Sequence, residues 1–232
     1  MNDLGGAPVA PVLAIDGPGG AGKGTISRLV ADRLGWHLLD SGALYRLVAL
    51  DAIQRGVALD SEPGLADLAS RLEARFLSAD GNSRVLLNGV DVTDAIRSEA
   101  AGDGASRVAA LPAVRRALIE RQRAFRRAPG LVADGRDMAA VIFPDAGLKV
   151  FLTASVEERA RRRHKQLKDK GIDVSLSALS RDMVERDRRD SERSIAPLKP
   201  GDDARILDTT GMDIPRVVDV VLQWAAERGL TT

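Results

Sequence analysis

The feature that most constrains the fold is a glycine-rich loop at residues 17–25, GPGGAGKGT. The apolar run PVLAID, at 11–16, comes directly before it and predicts a buried strand. After the loop, apolar residues recur at helical spacing through residue 34, and Gly35 predicts the end of that helix. A strand, a glycine loop and a helix in this order favour phosphate binding, because loop amides and the helix N-terminus face the anion.

The loop departs by one position from the usual phosphate-binding pattern. Gly17, Gly22 and Lys23 stand where the pattern requires them, but Gly24 follows and the hydroxyl arrives late, at Thr25. Lys23 is positioned to reach the β- and γ-phosphates, and Thr25 is a candidate Mg²⁺ ligand. A glycine-rich turn with a chance lysine is the alternative, which the strand and helix on either side disfavour. The predicted ATP-binding residues are Gly17, Pro18, Gly19, Gly20, Ala21, Gly22, Lys23, Gly24 and Thr25.

Composition limits the classes of function that remain. The 232 residues are 44% apolar and 29% charged, as in an ordinary globular protein. A net charge of only +1 argues against a nucleic-acid or anionic-membrane partner. The chain has no cysteine, which excludes disulfides and thiol catalysis, and its two histidines lie far apart in sequence.

The first residues, MNDLGGAPVAP, carry an acid and no basic segment, so we do not expect a signal peptide. The most apolar later stretch, AAVIFPDAGLKVFLTA, is too short and too charged to span a bilayer. We therefore expect a cytoplasmic protein without a membrane partner. A monomer is expected because no exposed apolar seam is visible in the sequence.

Strand and helix patterns alternate along most of the chain. Such alternation predicts an α/β fold with a parallel sheet, since a buried parallel strand is apolar on both faces. The predicted strands are 11–16, 36–40, 131–135, 148–154 and 204–210. The predicted helices are 25–34, 42–56, 112–127, 156–170, 175–192 and 214–228.

Residues 76–98 interrupt this alternation. Asp80-Gly81-Asn82 and Asn88-Gly89 are tight-turn signals between short alternating runs, which predicts a small antiparallel insert. A helix is expected before it, at 63–75.

Four further segments make a family resemblance specific. The GKGT sequence resembles the form of this loop in nucleoside monophosphate kinases. The other segments resemble signatures of bacterial cytidylate kinases and occur in the same order. They are HLLDSGALYR (37–46), LVADGRDMAAVIFPDA (131–146), EERARRR (157–163) and RDRRDSERSIAPL (186–198). The resemblance implies a P-loop NMP-kinase-like fold that transfers phosphoryl from ATP, with Mg²⁺, to CMP and dCMP. It implies a core at 1–60, 101–154 and 196–232, a monophosphate-binding insert at 61–100 and a helical lid at 155–195.

The resemblance also implies roles for individual residues. Arg46, Arg136 and Arg193 would hold the CMP phosphate, since guanidinium groups bind phosphate bidentately. Asp137 and Arg115, together with Ser106, would bind the cytosine base. Arg186 and Asp190 would bind the ribose. The predicted substrate-binding residues are Ser41, Arg46, Ser106, Arg115, Arg136, Asp137, Arg186, Asp190 and Arg193. The predicted catalytic residues are Lys23, Arg136, Arg193, Arg159 and Arg163, with Arg162 as a further lid cation.

Several alternatives stay open at this point. Arg115 could belong to the solvated face of an amphipathic helix, and Asp190 and Arg193 to a helical surface of ion pairs. Asp134 either holds Mg²⁺ through water or turns the chain with Gly135. Ala139-Ala140 replaces a small polar pair that is common in the family, so a hydroxyl contribution is lost there.

Two other functions compete with this one. The first is a kinase for another small acceptor, such as UMP, AMP or shikimate. The second is a nucleic-acid-binding ATPase, which near-zero net charge and only seven aromatic residues disfavour.

Overall fold

The computed structural model describes residues 9–79, 82–169 and 171–231. Its centre is a parallel five-stranded sheet in the order β2-β6-β1-β7-β8. The strands are β1 (Val12–Asp16), β2 (His37–Asp40), β6 (Leu131–Asp134), β7 (Leu148–Thr153) and β8 (Arg205–Asp208). The predicted α/β class and the five-stranded parallel sheet are confirmed.

Helices cover both faces of this sheet. They are α1 (Lys23–Leu34), α2 (Ser41–Gln54), α3 (Glu62–Ser70), α4 (Glu99–Val108), α5 (Pro112–Arg123), α6 (Val156–Lys168), α7 (Leu176–Ser191) and α8 (Ile214–Glu227). A 3₁₀ turn, Ala95–Arg97, and a π-helical turn, Met138–Ile142, complete the set among the described residues. No helix in this part of the chain is long and apolar enough to cross a membrane.

The central strand β1 is buried on both faces, as its continuous apolar run predicts. Val12 and Ala14 belong to a core cluster that also contains buried residues of α2 and α5. Leu13 and Ile15 point to the other face and pack in a cluster with residues of α1 and α8. These two layers fix the orientation of the loop that leaves the end of β1.

The predicted antiparallel insert is confirmed as a three-stranded sheet of β3 (Ala74–Ala79), β4 (Asn82–Leu87) and β5 (Val90–Asp91). Asn88 and Gly89 join β4 to β5, and both have positive φ, 48° and 82°. A two-residue hairpin with positive φ at both positions is the turn that Asn-Gly favours. The other predicted turn falls at residues 80 and 81, outside the described residues.

The prediction of one helix over 63–75 is wrong at its C-terminal end. Helix α3 ends at Ser70, and β3 begins at Ala74. Strand pairing determines the boundary: Arg75 and Phe76 lie opposite residues 86 and 85 of β4. Phe76 also packs edge-on against Phe125, with ring centroids 5.9 Å apart. The pairing of β3 with β4 and the packing of Phe76 outweigh local helix propensity.

Helix α4 was not predicted, because its sequence, EAAGDGASRV, contains two glycines and little apolar periodicity. Ser98 caps it by accepting a hydrogen bond from the Ala101 amide at 3.2 Å. Gly104 lets α4 approach α2 closely, since a Cβ there would lie 3.1 Å from the Cβ of Ala49. The helix thereby places Ser106 in the wall of the cleft described below.

Candidate active site

The loop after β1 has the backbone geometry of an anion cradle. Gly17 has φ +146°, and a Cβ there would lie 2.0 Å from the carbonyl oxygen of Leu152 on β7. Gly22 precedes α1 in the left-handed conformation, at φ 92°. The first amides of α1 are therefore directed at the loop, where the helix dipole also favours negative charge.

Lys23 and Asp134 are buried side by side at this cradle. The Lys23 ammonium donates to the carbonyl oxygen of Pro18 at 3.0 Å. Burial, followed by the charge of Arg136, lowers the pKa of Lys23 to about 7. Burial raises the pKa of Asp134 to about 6, although the charge of Lys23 acts in the opposite direction. Acidic and basic groups with shifted pKa values in one cleft are typical of functional sites.

A group of arginines faces the cradle and is paired with carboxylates. Asp190 on α7 accepts from Arg136 Nε at 3.0 Å, from Ser106 Oγ at 3.3 Å and from Arg193. Burial opposes ionisation of Asp190, yet Arg136 and Arg193 hold its pKa below the ordinary value. Arg46 forms an ion pair with Asp40 at 2.7 Å. An incoming phosphate would therefore compete with carboxylates for these guanidinium groups.

A second buried ion pair, between Arg115 and Asp137, lies farther along the cleft. Burial raises the pKa of Asp137, while the adjacent Arg115 lowers it. The Arg115 guanidinium also sits over the ring of Tyr45, 5.9 Å from its centroid. The helical periodicity of α5 suggested a solvated Arg115 as an alternative, and the structure instead buries this side chain to 6% exposure.

Ser41 and Arg186 complete the walls of the cleft. Ser41 is the first residue of α2, which Asp40 caps by accepting from the Ala43 amide at 2.9 Å. This N-cap continues the chain directly from β2 into the helix. Arg186 lies against Gly102 of α4, where a Cβ would be 3.3 Å from the guanidinium.

Three of the four arginines of α6 were predicted to belong to the lid, and they have different partners. Arg159 is buried beneath the loop and donates to the Gly19 carbonyl at 2.9 Å and to Asp187 of α7 at 2.5 Å. Arg162 donates to Thr209 at the end of β8, at 3.0 and 2.6 Å. Arg163 reaches Glu99 and the Arg97 carbonyl, which links α6 to the start of α4.

Asp16, the last residue of β1, is a candidate that the sequence reasoning missed. Its carboxylate accepts from the amides of Met138 and Ala139 at 2.8 and 2.9 Å. These amides directly follow Arg136 and Asp137, so Asp16 ties that segment to the phosphate loop. Burial raises the pKa of Asp16 to about 7. A carboxylate at the end of an otherwise apolar run was the available signal.

Most of the predicted site residues line one cleft of about 1060 Å³. The loop residues 19–25 line it, and Thr25 is exposed there. The predicted substrate residues on its walls are Ser41, Arg46, Ser106, Arg115, Arg136, Asp137, Arg186, Asp190 and Arg193, and the lid residues are Arg162 and Arg163. Gly17 and Pro18, at the start of the loop, and Arg159 do not line the cleft. Within the described ranges, no cluster of three His, Cys, Asp or Glu side chains suits a metal ion.

A phosphate cradle and a row of buried arginines, together in one cleft of a parallel α/β sheet, define the class of phosphate-loop nucleotide-binding proteins. Comparison with protein families makes the assignment specific. The family model described as Cytidylate kinase matches residues 13–227. The chain belongs to the cytidylate kinase family, as the four sequence segments indicated.

Close relatives agree over almost the whole length. The chain is 61% identical over 221 residues to the cytidylate kinase of Pseudomonas aeruginosa, covering 94% of this chain and 96% of that protein. It is 57% identical to the cytidylate kinase of Stutzerimonas stutzeri, over 95% and 97% of the two chains. The identity to the Shewanella loihica cytidylate kinase is 56%, over 94% and 96%.

Proposed function

We propose that this protein transfers the γ-phosphoryl group of ATP to CMP and dCMP, giving ADP and CDP or dCDP. The observation that carries the proposal is that two segments suited to phosphate are tied together at the end of β1. Loop residues 17–25 would bind one phosphate, and the segment of Arg136 and Asp137, which Asp16 holds to the same strand, would bind the other. Both sites open into one cleft, which suits a reaction between two polyanions.

The chemistry requires charge neutralisation rather than a general base. The attacking oxygen of CMP belongs to a phosphate that is already anionic at neutral pH. Lys23, Arg136 and Arg193 would neutralise the phosphates and hold the reacting atoms in line. Arg46 would bind the CMP phosphate with them. Before substrate binds, the carboxylate partners would neutralise these guanidinium groups. Each guanidinium would then exchange its carboxylate for a phosphate.

The rest of the cleft would bind the nucleoside. Cytosine offers an exocyclic amine as donor and ring acceptors beside it. Asp137 would accept from the amine and Arg115 would donate to the ring, with Ser41 and Ser106 nearby. Arg186 and Asp190 would bind the ribose. Loss of one ribose hydroxyl removes only part of this contact, so dCMP is expected to be a substrate too.

Helices α6 and α7 would act as the lid predicted for residues 155–195. Arg159 and Arg163 would stabilise charge on the ATP phosphates, and closure would exclude water that otherwise accepts the phosphoryl group. Arg159 already binds the Gly19 carbonyl, which supports a role in holding the loop in place.

The residues around Lys23 fit Mg²⁺ that arrives with ATP. Thr25 presents an exposed hydroxyl to the cleft. The carboxylate of Asp134 lies at Gly24, where a Cβ would be 3.5 Å from its oxygen. An oxygen-rich set with few protein ligands suits Mg²⁺, which usually keeps its waters and substrate phosphates. When bound, the ion supplies charge neutralisation, with Thr25 as ligand and Asp134 acting through water.

A coupled ADP-release assay over CMP, dCMP, UMP and AMP, with and without Mg²⁺, tests the proposal. We expect turnover with CMP and dCMP, weak turnover with UMP, and none without Mg²⁺. Preference for UMP, AMP or shikimate would indicate a different acceptor. ATP hydrolysis that RNA or DNA stimulates, with no dependence on CMP, would support the nucleic-acid alternative. We further propose that the enzyme acts in the cytoplasm as a monomer.

A further inference from the structure

Gln122 is a fully buried polar residue that does not line the cleft yet contacts a residue that does. It lies on α5 with 0% of its surface exposed. Its Oε1 accepts a hydrogen bond from the Ser41 hydroxyl at 2.6 Å. A buried amide of this kind is retained only where its hydrogen bonds are satisfied, so its orientation has consequences for Ser41.

The amide orientation is fixed by a second hydrogen bond. Gln122 Nε2 donates to the Leu118 carbonyl at 3.3 Å, one turn earlier on α5. A flipped amide would place Oε1 against that carbonyl, two acceptors facing each other. The oxygen of Gln122 is therefore the atom that faces Ser41.

This orientation commits the only proton of the Ser41 hydroxyl. A serine hydroxyl has one O–H to donate and two lone pairs that accept. Since the proton points to Gln122, the Ser41 oxygen can only accept from a group in the cleft. Ser41 lies one helical turn before Tyr45, and the Arg115 guanidinium sits over the Tyr45 ring. The Ser41 hydroxyl therefore lies on the same side of the cleft as the Arg115–Asp137 pair.

We propose that Gln122 is a positioning residue for base selection: by taking the Ser41 proton, it makes Ser41 an obligate acceptor that favours the 4-amino group of cytosine over the 4-carbonyl of uracil. The inference rests on the proposed function, because it assumes that a pyrimidine occupies this end of the cleft. Cytosine would place an N–H against Ser41, whereas uracil would place a carbonyl oxygen against lone pairs. Discrimination is strong where a mismatched ligand leaves buried polar groups unpaired.

The test compares Gln122→Met with Gln122→Glu. Met has a similar length but only a weakly accepting sulfur, so the hydroxyl becomes free to donate to uracil. We expect the CMP-to-UMP ratio of kcat/KM to fall about tenfold, as for loss of one ordinary hydrogen bond. Glu still presents an acceptor oxygen to Ser41, so Q122E should keep the wild-type ratio, although the lost bond to the Leu118 carbonyl should lower its stability. Gln223→Met, on the exposed face of α8, is the matched control.

A double-mutant cycle separates this role from a structural one. Ser41→Ala should itself lower the CMP-to-UMP ratio, and adding Q122M to S41A should not lower it further. General damage to the fold would reduce both substrates alike and leave the ratio unchanged. A Q122M enzyme with the wild-type ratio overturns the inference while leaving the proposed function intact. Wild-type protein that does not phosphorylate CMP would instead overturn the proposed function.

If Q122M does not fold, NMR on the wild-type protein answers the same question. A slowly exchanging Ser41 hydroxyl proton, close in space to the Gln122 side chain, is the expected result. A rapidly exchanging hydroxyl without that contact would overturn the inference.

Discussion

At the residue scale, Arg136 is the side chain on which the proposed chemistry depends most. It binds Asp190 through Nε and lines the cleft beside the glycine-rich loop, where we propose that it holds the acceptor phosphate. We expect Arg136→Ala to lower kcat by about 10²- to 10³-fold, because a preorganised donor to the transferring group is lost. Steady-state kinetics with CMP and ATP measures this. Circular dichroism should show an intact fold.

Arg216→Ala is the control for that variant, since Arg216 lies on the exposed face of α8. It should leave kcat unchanged. Wild-type turnover in R136A would remove Arg136 from the catalytic machinery, whatever happens to KM.

Asp16 gives a prediction on pH and stability. Burial raises its pKa from 3.8 to about 7. The folded protein therefore binds this proton more tightly than the unfolded chain, and the stabilisation is complete below the ordinary pKa. It is lost as the pH rises to the folded value. Relative to Asp16→Asn, which does not titrate, the wild type should lose about 3 kcal/mol of unfolding free energy between about pH 5 and pH 8.

Urea unfolding of both proteins across that range measures the difference. Groups that do not interact with Asp16 titrate alike in both proteins and cancel, so the difference reports Asp16 together with Lys23, on whose pKa the Asp16 charge acts. Parallel curves for the wild type and D16N would contradict a raised pKa at this carboxyl.

Residues were predictable from sequence where a local pattern accompanied them. Arg136 and Asp137 follow a buried strand directly, and Lys23 sits in a recognisable loop. Gln122 carries no such pattern, and the only signal at Asp16 is a carboxylate at the end of an apolar run. Gln122 is hidden in the basic run RRALIERQRAFRR, and its partner Ser41 is 81 positions away in the chain. Such pairs meet only in the folded protein, where Gln122 of α5 bonds to Ser41 of α2 and Asp16 of β1 bonds to the segment that follows β6.

At the element scale, the strand–loop–helix unit should respond strongly to a single methyl group. Gly17→Ala would place a Cβ 2.0 Å from the Leu152 carbonyl, a rigid backbone atom of β7. We expect a loss of at least about 3 kcal/mol in unfolding free energy, from overpacking and backbone strain together. Binding of ATP should weaken in parallel.

Gly35→Ala is the matched comparison at the other end of α1. Gly35 also has positive φ, +65°, but no atom lies within 4 Å of its Cβ position. We expect a cost of only about 1 kcal/mol, from the left-handed conformation alone. Equal losses in the two variants, measured by urea unfolding, would refute steric contact as the cause at Gly17.

Elements were predicted well where periodicity and end signals agreed. Gly35 ends α1, and Pro112 and Pro215 lie in the first turns of α5 and α8. The failures fall around the small sheet, where α3 gives way to β3 and where α4 is rich in glycine. Their conformations depend on contacts with β4 and α2, which a local window does not contain.

At the scale of the whole molecule, we expect the two substrates to stabilise the fold together. Each ligand at about 100 times its Kd should add about 2.7 kcal/mol to the unfolding free energy. For a chain of this size that corresponds to a rise in Tm of roughly 5–10 °C per ligand. Thermal unfolding with CMP, with a non-hydrolysable ATP analogue, and with both measures this. A rise with UMP equal to that with CMP would contradict the cytosine preference.

The bond between Asp16 and the amides of Met138 and Ala139 has a mechanical consequence. The phosphate loop follows β1 and Arg136 follows β6, and the Asp16 carboxylate joins the two segments, so thermal displacement of either one is transmitted to the other. In the proposed reaction, the spacing between the two phosphates would then be set by this short link rather than by the reach of long side chains. An enzyme designed or selected to phosphorylate a longer acceptor molecule would therefore first have to change the bonds made by Asp16.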